Sequence, residues 1–233
     1  LDQTLKITNV LNDGTRLSIY EYVSKKHDVV NVQEIADRFA IHPNVARLHL
    51  SKLEDIGMIV STHQKNQKGG RPYRVYKLSD EVIKLQFPYR DYELLAKMAI
   101  ESLFNLGEVG KEALLVTGKK FGKQLLVSKY PNTPVTDLNV EQKLTILNET
   151  SSMLGLDPEY DFIEKNDEVI FKIFNCPFKE IAADDNFHTI CEMHRFFIKG
   201  MFEELFDNLI SLKEHTNMLD GCQTCTYHAI MKP

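Results

Sequence analysis

Tryptophan is absent from the 233-residue chain, and cysteine is scarce, with four residues that all fall after position 175. Four thiols confined to one end cannot staple a chain of this size, so stability has to come from a packed core rather than a disulfide framework. No stretch approaches the roughly 18 uncharged apolar residues that a membrane span requires. The N-terminal Leu1-Asp2-Gln3-Thr4 lacks the basic and apolar regions of a secretory signal. These features lead to the expectation of a soluble, cytoplasmic protein with no membrane partner. Internal repeats and low-complexity tracts are missing too. So are a Walker-type phosphate loop, H-E-x-x-H and G-x-S-x-G, which removes the commonest nucleotide, metalloprotease and serine-hydrolase chemistries. The chain is expected not to be an enzyme, and the acidic pairs Asp184-Asp185 and Glu203-Glu204 read as solvated faces.

What is present is a globular balance, 43% hydrophobic and 26% charged, enough for one large domain or two ordinary ones. The net charge of −5 argues against nucleic acid only as an average. Residues 1–79 hold 12 Lys/Arg against 8 Asp/Glu, whereas residues 80–233 hold 16 against 25. Between Ile56 and Ser79 there are five basic side chains (Lys65, Lys68, Arg71, Arg74, Lys77) and no acid. A small basic module joined to a larger acidic one is the pattern of a DNA reader with a separate control domain.

Hydrophobic spacing predicts helix over 4–26 with a break at Asn12-Asp13-Gly14, then a short strand at Val29-Val30. Asn31 and Glu34 have capping-box spacing at the start of a helix over Val32–Phe39. His42-Pro43 starts the next helix, with Pro at its first position, and Gly57 stops it. Met58–His63 and Pro72–Leu78 read as a hairpin around a polar, glycine-containing tip. Helix, strand, helix, tight turn, helix, basic hairpin is the order of a winged helix–turn–helix. Long helical stretches over about 89–106 and 109–130 carry more apolar positions than one thin stripe needs, which predicts a second face buried against another subunit. Pro131-Asn132-Thr133-Pro134 ends them. A helix over about 140–154, a strand pair turning at Asn166-Asp167, a helix over about 188–208 and strands at Leu209–Glu214 and Thr226–Met231 follow.

The expected fold class is therefore α+β. A winged helix–turn–helix DNA-binding domain occupies 1–82, a helical linker or dimerisation segment 83–132, and a small α+β, cysteine-rich, metal-binding sensor domain 133–233.

A recognition helix buries one face and offers polar atoms on the other to base edges in the major groove. Over 43–56, Ala46, His49, Leu50, Leu53 and Ile56 share one side, which makes His49 a core histidine. Asn44, Arg47, Leu48 and Ser51 take the opposite side, with Lys52 on its flank. Arg47 suits guanine, Asn44 suits adenine and Leu48 suits a thymine methyl. Lys65, Lys68, Arg71 and Arg74 on the wing suit phosphate or a narrow minor groove.

The run from Ala40 through Ile59 resembles the recognition segment of a group of ArsR/DeoR-like bacterial regulators, and Gly69-Gly70-Arg71-Pro72-Tyr73-Arg74-Val75-Tyr76 resembles their Gly-Arg-Pro wing. That resemblance covers residues 5–80 and implies a homodimer on double-stranded promoter DNA with two-fold character.

At the other end, Cys191 and His194 form a C-x2-H and Cys222 and Cys225 a C-x2-C, with fourteen residues separating Cys176 from Cys191. Thiolates are soft ligands, and close pairs supply two ligands from one turn, so zinc and iron–sulfur clusters both suit this set of five candidates. A thiol oxidoreductase using Cys222 and Cys225 fits less well, because the pair precedes a terminal strand rather than a helix N-terminus. Asn175-Cys176-Pro177-Phe178, Ile190-Cys191-Glu192-Met193-His194 and Gly221-Cys222-Gln223-Thr224-Cys225-Thr226 resemble the C-terminal motifs of SufR-type iron–sulfur repressors, which share the winged helix. The resemblance implies a [4Fe–4S] cluster that controls DNA binding, held by Cys176, Cys191 and Cys225 with Cys222 or His194 as the fourth ligand. A winged-helix regulator with structural zinc and a small-molecule signal is the alternative.

Overall fold

A computed structural model describes residues 2–65, 72–131, 135–182, 188–207 and 209–232. The chain forms two compact units, Leu1–Arg90 and Asp91–Pro233.

In the first unit, helices α1 (Asp2–Leu11) and α2 (Gly14–Lys26) meet at Asp13, whose side chain caps α2 by accepting from the Arg16 N–H at 3.0 Å. Strand β1 is the two-residue Val30–Asn31, followed directly by α3 (Val32–Phe39). Asn31 caps α3 through the Glu34 N–H. The capping box expected there is only half made, because the Glu34 carboxylate accepts instead from Tyr22 and Lys26 on α2. Helix α4 runs Pro43–Glu54. Gly57 ends it at φ +78, with Gly57 N–H donating to Glu54 O and Met58 N–H to Leu53 O. That pair of bonds is a Schellman stop, which needs the left-handed residue glycine supplies. Strands β2 (Ile59–Gln64) and β3 (Tyr73–Leu78) form the hairpin, and β1 adds to β3 to give the order β1-β3-β2. Ile19, Ile35, Ala46, Leu50, Leu53, Ile59 and Tyr76 make the core beneath α4.

In the second unit, α5 (Tyr92–Phe104) and α6 (Glu108–Lys129) precede α7 (Val140–Met153). Strands β4 (Pro158–Ile163) and β5 (Glu168–Ile173) follow, then the one-turn α8 (Lys179–Ala182) and α9 (His188–Leu205). Strands β6 (Leu209–Thr216) and β7 (Cys225–Met231) complete an antiparallel sheet of order β4-β5-β7-β6. Alternation along β7 is strict, with Cys225, Tyr227, Ala229 and Met231 buried and the residues between them half-buried. The buried face packs with Phe171, Leu147, Leu156 and the α9 residues Ile198, Met201 and Phe202.

On the long helices much of the apolar surface is exposed within the chain. Helix α6 buries Gly110, Gly118, Gly122 and Leu126, while Leu114, Leu115 and Leu125 are half-buried and Phe121 is exposed. Glycine lets α6 and α9 touch backbone to backbone. A Cβ on Gly118 would stand 2.7 Å from Met193 O, one on Gly122 1.9 Å from Phe197 O, and one on Gly200 2.1 Å from Lys119 O. Helix α5 buries no residue, and Leu94, Leu95 and Met98 are exposed. Among the described residues no helix is long and apolar enough to cross a membrane.

Candidate nucleic-acid interface and cysteine site

Helix α4 is built to present one face. Its N-terminus is set by Pro43 and by His42, whose Nδ1 accepts from the Asn44 N–H at 3.2 Å. Ala46, His49, Leu50 and Leu53 are buried below it, which leaves Asn44, Val45, Arg47 and Leu48 exposed above. Arg47 donates to Asn44 Oδ1 at 2.9 Å, so the two polar residues of the face form a unit that has to part, or share, to reach two bases. Leu48 is 53% exposed, an apolar side chain beside two polar ones on the outer face. Ser51 and Lys52 lie half-buried at the C-terminal end of that face. Val45, 41% exposed, joins the face although hydrophobic spacing alone did not single it out.

His49 anchors the helix from beneath. Its Nδ1 is 3.9 Å from Asp13 Oδ2, and burial pushes its pKa down despite that carboxylate. Asp13 also pairs with Arg16 at 3.2 Å and is held below the usual carboxylate range, chiefly by the Arg16 N–H it caps. One acid thus ties the start of α2 to the underside of the reading helix.

On the wing, Lys65 and Lys77 are exposed, whereas Lys68 and Arg71 lie outside the described residues. Arg74 is engaged within the domain. Its Nη2 donates to both oxygens of Glu54, at 2.8 and 2.7 Å, and its Nε donates to Ser61 Oγ at 2.8 Å. Ser61 in turn donates to Glu54 at 2.6 Å, and the guanidinium lies over the Tyr76 ring. The sequence marks Arg74 as a wing cation; the structure gives it partners on α4, β2 and β3.

The five metal-ligand candidates divide in the second unit. Cys176 follows β5, Cys191 and His194 stand one turn apart on α9, and Cys225 opens β7. Cys176 Sγ lies 3.6 Å from His194 Nδ1. Cys225 Sγ accepts from the Met218 N–H at 3.4 Å and donates to Asn217 Oδ1 at 3.9 Å, and Asn217 also bonds to Cys191. Cys222 is exposed in the turn before β7. Burial pushes the Cys176 thiol up to about 12, with Cys225 and Cys191 adding to the effect. Burial also raises Cys191 and Cys225, helped by Glu214. His194 is driven the other way, down to about 4, so its ring is neutral, and its Nε2 is buried without a hydrogen-bond partner. Thiol and imidazole are soft donor types, but the idle His194 nitrogen is Nε2, whereas the nitrogen beside Cys176 is Nδ1. Among the described residues, no group of three or more His, Cys, Asp or Glu side chains is close enough to hold a metal ion as they stand.

Residues 11–62 match the family model described as a helix-turn-helix domain. The match spans α2 to β2, the segment whose geometry exposes the α4 face, and a domain of that kind belongs to DNA-binding transcriptional regulators. No curated protein matches the chain.

Proposed function

We propose that this chain is a cytoplasmic, homodimeric transcriptional repressor that binds a two-fold promoter element through α4 and the wing. In this reading its DNA affinity is set by an iron–sulfur cluster, a [4Fe–4S] centre, at the C-terminal cysteines. Asn44, Arg47, Leu48 and Ser51 read base edges, Lys52, Lys65, Lys68 and Arg71 contact phosphate, and Arg74 positions the wing. Cys176, Cys191 and Cys225 hold the cluster, with Cys222 or His194 completing it. What supports the metal reading is that Cys176, Cys191 and Cys225, from three separate elements, lie near enough to oppose one another's ionisation, with His194 Nδ1 3.6 Å from Cys176 Sγ. A cluster, when bound, supplies a cross-link between those elements that oxidants or iron shortage can remove. The exposed Leu94, Leu95 and Met98 of α5 supply an apolar face for a second copy.

The residues around the site do two things. Burial keeps His194 neutral and therefore able to ligate, and the backbone contact between α9 and α6 ties the Cys191 end of α9 to the helix pair carrying the apolar face. A coupling of about 1–3 kcal/mol between metal loading and DNA binding is enough for regulation.

A structural zinc is the second reading, favoured by the one imidazole among the sulfur donors, since mixed N/S sets are typical of zinc. Anaerobic purification with iron, zinc and acid-labile sulfide analysis separates the two. Iron and sulfide in near-equal amounts, with a promoter affinity that changes on cluster removal, is the expected result. Zinc without sulfide leaves the DNA reader standing and overturns the cluster.

A further inference from the structure

The face of the sheet opposite Cys225 carries a second group of metal-ligating side chains. His228 is a half-buried residue of β7, on the face that alternation turns away from the Cys225–Tyr227 core. Its Nδ1 is hydrogen-bonded to Glu168, the first residue of β5. A carboxylate only accepts, so Nδ1 is the donor, and Nε2 is the nitrogen left for a ligand when the ring is neutral. The ring of His215 stacks on that of His228, with centroids 3.7 Å apart and planes 30° from parallel.

The placement of His215 has a backbone cause. The β6–β7 ladder pairs Glu214 with Tyr227 and Thr216 with Thr226, so His215 is the extra residue of a β-bulge. A bulge re-aims a side chain that regular pleating would place elsewhere, and bulges recur beside functional sites. Here it brings an exposed imidazole onto a partly buried one. Lys213, the register partner of His228, is exposed beside the pair.

We propose that His215 and His228 form a two-imidazole site for a first-row divalent transition ion, with water completing its coordination and Glu168 as the positioning residue that fixes the His228 tautomer. A carboxylate on the far nitrogen of a ligating histidine is the usual support for such a ring and raises its basicity. Turning the exposed His215 ring about its Cβ–Cγ bond aims a nitrogen at the same ion. Two neutral nitrogen donors select borderline ions such as Zn2+ over Mg2+ or Ca2+. Glu168 orients a ligand rather than binding the ion, so the site has two protein ligands and needs no preformed cage of three. It depends neither on DNA reading nor on the cysteines.

The test is a Zn2+ titration of the full chain followed through the ring 15N resonances of His215 and His228, with Mg2+ as control. These nuclei report this site alone, whatever the cysteines bind. Both rings are expected to shift together with Zn2+ and to stay fixed with Mg2+. H215A should lower the affinity at least about tenfold, since half the protein ligands go, and E168Q about 10–100-fold with both histidines still present. Circular dichroism spectra matching the parent chain show that each variant is folded. Histidine resonances that ignore Zn2+, or an H215A chain that binds it as tightly as the parent, overturn the proposal.

Discussion

Arg74 on the wing and Glu54 at the end of the reading helix are joined nitrogen to carboxylate at 2.7 Å, with Ser61 bonded to both. The pair fixes where the wing stands relative to α4. Half-exposed ion pairs contribute about 0.2–1 kcal/mol to folding, so the interest of this one lies in geometry. E54Q separates two roles for Arg74. A positioning role predicts weaker promoter binding with the salt dependence unchanged. If Arg74 instead contacts phosphate, E54Q frees it and affinity holds or rises, while R74A flattens the slope of log affinity against log salt by about 0.9. Affinity measured across salt concentrations decides between them.

Arg47 is exposed on α4 with Asn44 as its neighbour at 2.9 Å. R47A should relax discrimination at a single base pair per half-site by about 1–3 kcal/mol and leave folding untouched. Selection of binding sites from a random DNA pool, parent against variant, reads this directly.

Glycine substitutions should split by location. G122A drives a methyl onto the Phe197 carbonyl and should cost about 1–3 kcal/mol or more, because a backbone oxygen cannot rotate away. G14A, at the first residue of α2 with open space around it, should stabilise the chain by about 0.5–1 kcal/mol. Denaturant midpoints of the two variants against the parent are the measurement.

His49 sets part of the acid sensitivity of the first unit. Its folded pKa is depressed by burial, so the unfolded chain takes up the proton first. Its contribution is fully present above the ordinary histidine value of about 6.5 and is lost as pH falls through the depressed value. H49L should therefore lose less stability than the parent as pH falls below about 6.5. Equal slopes for both chains would remove His49 as the cause.

The four thiols should differ in reactivity in the metal-free chain. Cys222 is exposed, whereas Cys176 is half-buried and its thiol is pushed up to about 12. Iodoacetamide at neutral pH should label Cys222 first and Cys176 last, as timed by peptide mass spectrometry. Rapid labelling of Cys176 would count against the raised pKa.

Local rules were legible wherever one residue decides the geometry. Pro43 starts α4 and the left-handed Gly57 stops it, and turn residues at Asn166-Asp167 separate β4 from β5. The exposed face of α4 follows from spacing for the same reason. Partner choice was not legible. Glu34 has the spacing of a capping box yet serves Tyr22 and Lys26, because folding brings α2 alongside. Arg74 looks like any wing cation until the fold sets Glu54 beside it. Spacing also missed the burial of α6 through glycine, since a periodic stripe of large apolar residues was the signal sought. Nor does sequence reveal that a bulge places His215 on His228, as both lie in ordinary strand patterns.

The carbonyl contacts of Gly118, Gly122 and Gly200 have a mechanical consequence. Most helix pairs are separated by a layer of side chains whose rotamers can yield, which damps displacement like a gasket. At the Gly122 and Gly200 contacts between α6 and α9 that layer is missing, and carbonyl oxygen and peptide nitrogen stand where side chains normally would. A joint without a compliant layer has little slack. It passes on a small push from one helix to the other nearly whole, or it comes apart.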